Sequence, residues 1–100
     1  MTEQIMFDVE TCSEKYKEYI RCAKYGDTIS RTTKESMIFI YNNKKYVVRF
    51  ILEFSFDFEN GFHYANFSDF KSNRITAPNL MDEFISYIKE HFVTSDRLSC

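Results

Sequence analysis

Between residues 46 and 58 the chain alternates strictly. Tyr46, Val48, Phe50, Leu52, Phe54, Phe56 and Phe58 are interleaved with Val47, Arg49, Ile51, Glu53, Ser55 and Asp57. Seven apolar residues at period two specify a strand with one deeply buried face. A strand of this kind needs neighbours to pair with and a second layer to cover its Phe side, so the rest of the chain has to supply both.

The flanking sequence supplies the neighbours. Met37 to Tyr41 reads as a preceding strand, joined through Asn42-Asn43-Lys44-Lys45. Asn60-Gly61 is the preferred pair for a tight hairpin, whose two central residues both need positive φ, and Phe62 to about Phe67 follows as the next strand. Pairing across that turn sets Phe58 opposite His63, Phe56 opposite Ala65 and Phe54 opposite Phe67. Met37, Phe39 and Tyr41 join the same side, which gives a three-stranded antiparallel meander.

A helix over 79–92 is expected to cover the Phe face. Leu80, Met81, Phe84, Ile85, Ile88 and Phe92 form its apolar stripe. Pro78 suits its first turn, and Asp82 and Glu83 suit the positive end of its dipole. A first helix is expected over 12–25, opened by a capping box of Thr11 and Glu14 and closed at Gly26. Residues 3–10 fit a further helical stretch or a short strand equally well. Residues 27–35 read as a polar connector and 94–100 as a frayed tail. The expectation is one α+β domain over 1–100, in the order α-β-β-β-α.

Composition fits that outline. One hundred residues with eleven Phe and seven Tyr can fill a compact core without Trp, and two Gly and one Pro leave little room for disorder. The net charge of −2 does not suggest a general nucleic-acid or membrane-surface binder. No apolar run reaches the length of a membrane span, and the N-terminus lacks the pattern of a secretory signal. Cys12, Cys22 and Cys100 are an odd number without framework spacing, which reads as free thiols in a reducing cytoplasm. In that setting the sequon Asn66-Phe67-Ser68 is a chance match. No cofactor motif and no metal-ligand spacing is evident.

The second face of the meander is the candidate site. Register places Ile38, Ile40, Val47, Ile51 and Phe70 toward one end of it. Arg49, Glu53, Ser55, Asp57, Tyr64, Asn66 and Ser68 fill the rest. A surface mixing aliphatic, Tyr, Arg and Asn side chains suits protein recognition, unless the first helix covers it. Ile38, Ile40, Val47, Ile51 and Tyr64 are the expected contacts, with Asp57 and Glu59 as mimics of a phosphate or an acidic ligand. The same face could bury itself in a homodimer. Lys44, Lys45, Lys71 and Arg74 should form a basic tip at one end, which with Arg49 is the alternative, nucleic-acid-binding set. Asp57, Glu59 and His63 surround the second hairpin turn, but the expected register puts His63 on the Phe face and Asp57 on the other.

The α-β-β-β-α order resembles that of double-stranded-RNA-binding domains. Those domains open their second helix with a basic cluster, where this chain has Asp82 and Glu83. The order is also similar to that of some small phage inhibitors of CRISPR nucleases, and the Lys-, Asn-, Ile- and Phe-rich composition is similar to that of phage accessory proteins from AT-rich genomes. The expected function is non-catalytic, stoichiometric binding of another protein, such as inhibition of a host enzyme or defence complex in the host cytoplasm.

Overall fold

The computed structural model describes residues 5–92. The expected tail at 94–100, Cys100, and residues 3 and 4 of the N-terminal stretch lie outside the described residues. The described chain forms β1 (Asp8–Ser13), α1 (Tyr16–Arg21), β2 (Thr28–Tyr41), β3 (Lys44–Asp57), β4 (Gly61–Ser72) and α2 (Pro78–His91). The strands make one antiparallel sheet in the order β1-β2-β3-β4. The class is α+β, as expected, with four strands rather than three.

The β2–β3 hairpin is the spine. Both strands have 14 residues and pair from Tyr41–Lys44 to Thr28–Asp57 without a register shift. At about 3.3 Å per residue that is about 46 Å, and the molecule's longest dimension is 47 Å. Asn42 and Asn43 close the hairpin with φ of 54° and 61°. This is the type I′ geometry whose twist matches the flanking strands, and Asn tolerates it better than most residues.

Alternation then sorts the side chains. Tyr46, Val48, Phe50, Leu52 and Phe54 of β3 are buried, with Met37 and Phe39 of β2 beside them. Leu80, Phe84, Ile88 and Phe92 close over this face, and Phe39 stacks on Phe84 at 4.3 Å between ring centroids. Helix α2 lies as expected, with Pro78 in its first turn. That turn carries no acidic residue. Asp82 and Glu83 sit one turn further in, where the dipole's influence has faded.

Several expectations at the N-terminal side are overturned. Residues 8–13 pair with β2, so Thr11 is a strand residue and the helix expected over 12–25 shrinks to the six residues of α1. Gly26, with φ of 90°, serves the turn after the helix, not its end. The polar connector at 27–35 is the first half of β2, which the long β3 strand pairs residue for residue. The order is therefore β-α-β-β-β-α.

Glu35 explains how a six-residue helix holds its place. It is 2 % exposed, on the inner face opposite Phe50. Its carboxylate accepts the backbone N–H groups of Lys15 and Tyr16, both at 2.9 Å, and the Thr33 hydroxyl at 2.6 Å. Two amides left open at the start of the helix are thereby satisfied from another strand. Tyr16 is buried against Phe54, Phe62 and Phe92, and its hydroxyl donates to the Phe92 carbonyl at 3.0 Å. Helix α1 thus packs on the same face as α2.

Two predictions follow from these contacts. Asn42→Ala and Asn43→Ala should each cost about 1 kcal/mol, the penalty for an ordinary residue in the left-handed region, read as a lower urea midpoint at unchanged m-value. For Glu35, burial has the largest influence and raises its carboxyl above the ordinary 4.5, outweighing the hydrogen bonds and the Lys15 charge that pull it down. The folded chain then holds that proton to higher pH than the unfolded chain. Its contribution is complete below the ordinary value and is lost as pH rises through the raised one. The wild type should accordingly lose stability relative to Glu35→Gln as pH climbs above 4.5; a pH-independent difference in urea midpoints would contradict this.

Candidate functional site

With both helices on the Phe face, no described element packs across the other side of the sheet. The buried cluster takes in Tyr16 and Ile20 of α1 together with Leu80, Phe84 and Ile88 of α2, and none of Ile38, Ile40, Val47 and Ile51. The alternative in which the N-terminal helix covers the second face is thus decided against, and that face is bare among the described residues.

The face is organised in rows across the strands. Ile38 pairs with Val47 and Ile40 with Lys45, which gives an aliphatic end beside the Asn42-Asn43 turn. Next, Ser36 pairs with Arg49, and Arg49 in turn with Lys71 of β4. Lys34 pairs with Ile51, and Ile51 with Ser68. Beyond lie Thr32, Glu53 and Asn66, then Ser30, Ser55 and Tyr64. The Ser30 and Ser55 hydroxyls are 3.2 Å apart.

Ile38, Ile40, Val47 and Ile51 are half-buried on this face, as expected. Tyr64 shares the face and is 43 % exposed, but it does not join them. Its partner Ser55 is eight residues along β3 from Val47, about 26 Å. Phe70 is a correction. Asp69 takes a φ of 57° where the β3–β4 register shifts, and this turns Phe70 to the inner face, where it stacks on Phe50 at 5.6 Å.

The second hairpin also departs from expectation. Asp57 pairs with Gly61, so the loop has three residues, Phe58-Glu59-Asn60, and only Gly61 is left-handed, at φ 85°. The Asp57 carboxylate imposes this. It accepts the Glu59 N–H at 2.7 Å, the Asn60 N–H at 3.3 Å and the Asn60 side-chain amide at 2.9 Å. Such an Asx turn replaces the two-residue turn. The register slides by two residues, giving Phe54–Ala65 and Leu52–Phe67. Phe58 leaves the inner face for the loop, where it meets Tyr25.

A further register shift leaves His63 unpaired in the ladder. Its ring then lies outside the core, with Nε2 3.4 Å from Asp57 Oδ2. The expected separation of His63 from Asp57 is therefore wrong, while Glu59 projects from the loop. The Asn60 amide first, and the Glu59 N–H after it, hold the Asp57 carboxyl below its ordinary value of 3.8. The Asp57 carboxylate can orient the His63 imidazole. No cluster of three His, Cys, Asp or Glu suited to a metal occurs among the described residues.

The basic set divides. Lys44 is exposed, Lys45 lies 3.2 Å from Glu10, and Arg74 donates from Nε to the Lys45 carbonyl at 2.8 Å while its guanidinium covers Tyr46. Arg49 and Lys71 belong instead to the bare face. There they line an open depression of ≈350 Å³ with Lys34, Ser36 and Ile51. Lys34 escaped the sequence reading because 27–35 lacked an apolar period.

Cys22 is exposed as a free thiol. No helix among the described residues is long and apolar enough to cross a membrane. Comparisons with protein-family models, curated proteins and solved structures find no significant match.

Because Asn60 does most to hold the Asp57 carboxyl down, Asn60→Ala should move the Asp57 side-chain carbon titration upward toward the ordinary aspartate range. An unchanged NMR titration curve would show that the amide contact is not formed in solution.

Proposed function

We propose that the chain is a non-catalytic module that binds another protein through its bare sheet face. The observation that carries this reading is the packing of both helices on one side, which leaves Ile38, Ile40, Val47 and Ile51 on a face that no described element covers. An antiparallel sheet can expose one face to water, but that face is then ordinarily polar. Aliphatic residues interleaved with charged ones on an uncovered face are the mark of an interaction surface. Glu59 at the far tip extends the contact, while the Asp57 carboxylate is engaged within its own loop.

The finer form of the proposal is inhibition of a host enzyme or defence complex by a phage or mobile-element product. Its support is the AT-rich coding pattern. The test uses the immobilised chain and a bacterial lysate, with matched variants. Val47→Asp places a charge in the aliphatic end and should abolish capture of a partner that the wild type retains. Tyr64→Ala should weaken capture several-fold, and Asn79→Ala, on the opposite side of the molecule, should leave it intact. A capture profile identical for wild type and Val47→Asp would end the proposal.

A further inference from the structure

The bare face is not uniform, and its charge is concentrated where three strands meet. Arg49 of β3 pairs with Lys71 of β4, and Lys34 of β2 stands on the same face in the next row, two residue pairs along the β2–β3 ladder. Strands lie about 4.8 Å apart and same-face rows about 6.6 Å, so the three cations span about 12 Å. Among the described residues neither Lys34 nor Arg49 has a carboxylate within ion-pair distance, and Lys71 reaches only the exposed Asp69, at 3.9 Å. Glu53 is four residues from Arg49 along β3, about 13 Å away, and one same-face row from Lys34, with which it makes no ion pair. The open depression of ≈350 Å³ lies at this cluster; its lining includes Lys15 and Ile51, and also Asp69 and Glu35, whose carboxylate is engaged with Thr33 and the start of α1. On its other side the cluster adjoins the Ile38–Val47 pair.

We propose that this face takes an acidic segment of a partner protein, its carboxylates on Lys34, Arg49 and Lys71 and an apolar side chain against Ile38 and Val47. The inference rests on the protein-binding reading and assigns the partner's chemistry. Three features favour a peptide over a nucleic acid. The cations form a short cluster rather than a track that could follow successive phosphates. The surface next to them is aliphatic, with no aromatic ring for a base to stack on. Tyr64, the one aromatic residue of the face among the described residues, is displaced from Arg49 by six residues along the strand, about 20 Å, beyond Glu53. Arg49 suits a carboxylate in particular, since its planar fork can donate two parallel hydrogen bonds.

The test is an NMR titration of the full chain at low salt with three probes: a short capped peptide alternating Glu and Leu, its Lys-Leu counterpart, and oligothymidine. The Glu-Leu peptide should shift the amides around Lys34, Ile38, Val47 and Arg49. Its affinity should fall roughly tenfold or more in the double variant Lys34→Glu with Arg49→Glu, and the Lys-Leu peptide should not bind. Both substitutions are at exposed positions, and an unchanged amide spectrum elsewhere confirms that the variant is folded. Absence of shifts, equal shifts with Lys-Leu, or tighter binding of oligothymidine would overturn the assignment. So would concentration-dependent shifts of the same amides without any probe, which would give the face to a second copy of the chain. If Val47→Asp abolishes partner capture while the Glu-Leu peptide leaves the face untouched, the docking reading stands and the acidic-partner assignment falls.

Discussion

Glu35 occupies an inner-face position in the middle of the sheet, where alternation would ordinarily place a Leu or a Phe. A carboxylate there is tolerable only if its lone pairs are used. The structure uses them on Thr33 and on the first amides of α1. This contact does two things at once. It ends the run of buried apolar residues along β2 at Met37, and it ties the start of a short helix to the same face that α2 covers. A six-residue helix has little stability of its own. The Glu35 anchor and the burial of Tyr16 and Ile20 are what hold it. The site at the back of the sheet thus depends on a residue at the front.

Once both helices share a face, the molecule is a two-layer domain, and its second sheet surface must satisfy two demands together. Its rows near the Asp57 end are hydroxyl- and amide-bearing, as a solvated antiparallel sheet should be. Ser30, Thr32, Ser55, Asn66 and Ser68 need no partner protein to explain them. The aliphatic end and the cationic cluster are different. Each aliphatic residue there is only half-buried, so part of its surface gains from being covered. A surface that is apolar at one point and positively charged beside it discriminates among partners better than either property alone.

Much of this architecture can be read from the residues. The alternation over 46–58 defines most of β3 and its buried side, the Leu80-Phe84-Ile88 spacing defines α2, and the first hairpin turns where expected, though through Asn42-Asn43 alone, with Lys44 and Lys45 already in β3. The failures share a cause: polar side chains that make tertiary contacts look like loop. Thr33 and Glu35 face inward in the first half of β2, so that half carries no apolar period and reads as connector. The same stretch holds Lys34, the cation that completes the cluster with Arg49 and Lys71. Cys12 and Tyr16 lie at helical spacing, yet residues 8–13 pair as β1 because β2 extends past them as an open edge.

The second hairpin shows how a local hydrogen bond can outweigh a familiar turn signal. Asn60-Gly61 offers a two-residue turn, and the Phe alternation is compatible with it. Asp57 offers its carboxylate to two backbone amides and a side-chain amide, and a loop one residue longer is the result. The register slides by two residues, so the buried faces survive; a slide of one would have turned every side chain over. A second consequence is that Asp57 is occupied inside its own loop and beside His63. Its charge is therefore committed to holding the tip together. On the proposed docking reading, recognition then falls mainly to the cations and aliphatic residues nearer the Asn42-Asn43 turn, and the two ends of one sheet surface differ in character because only one of them is occupied by its own loop.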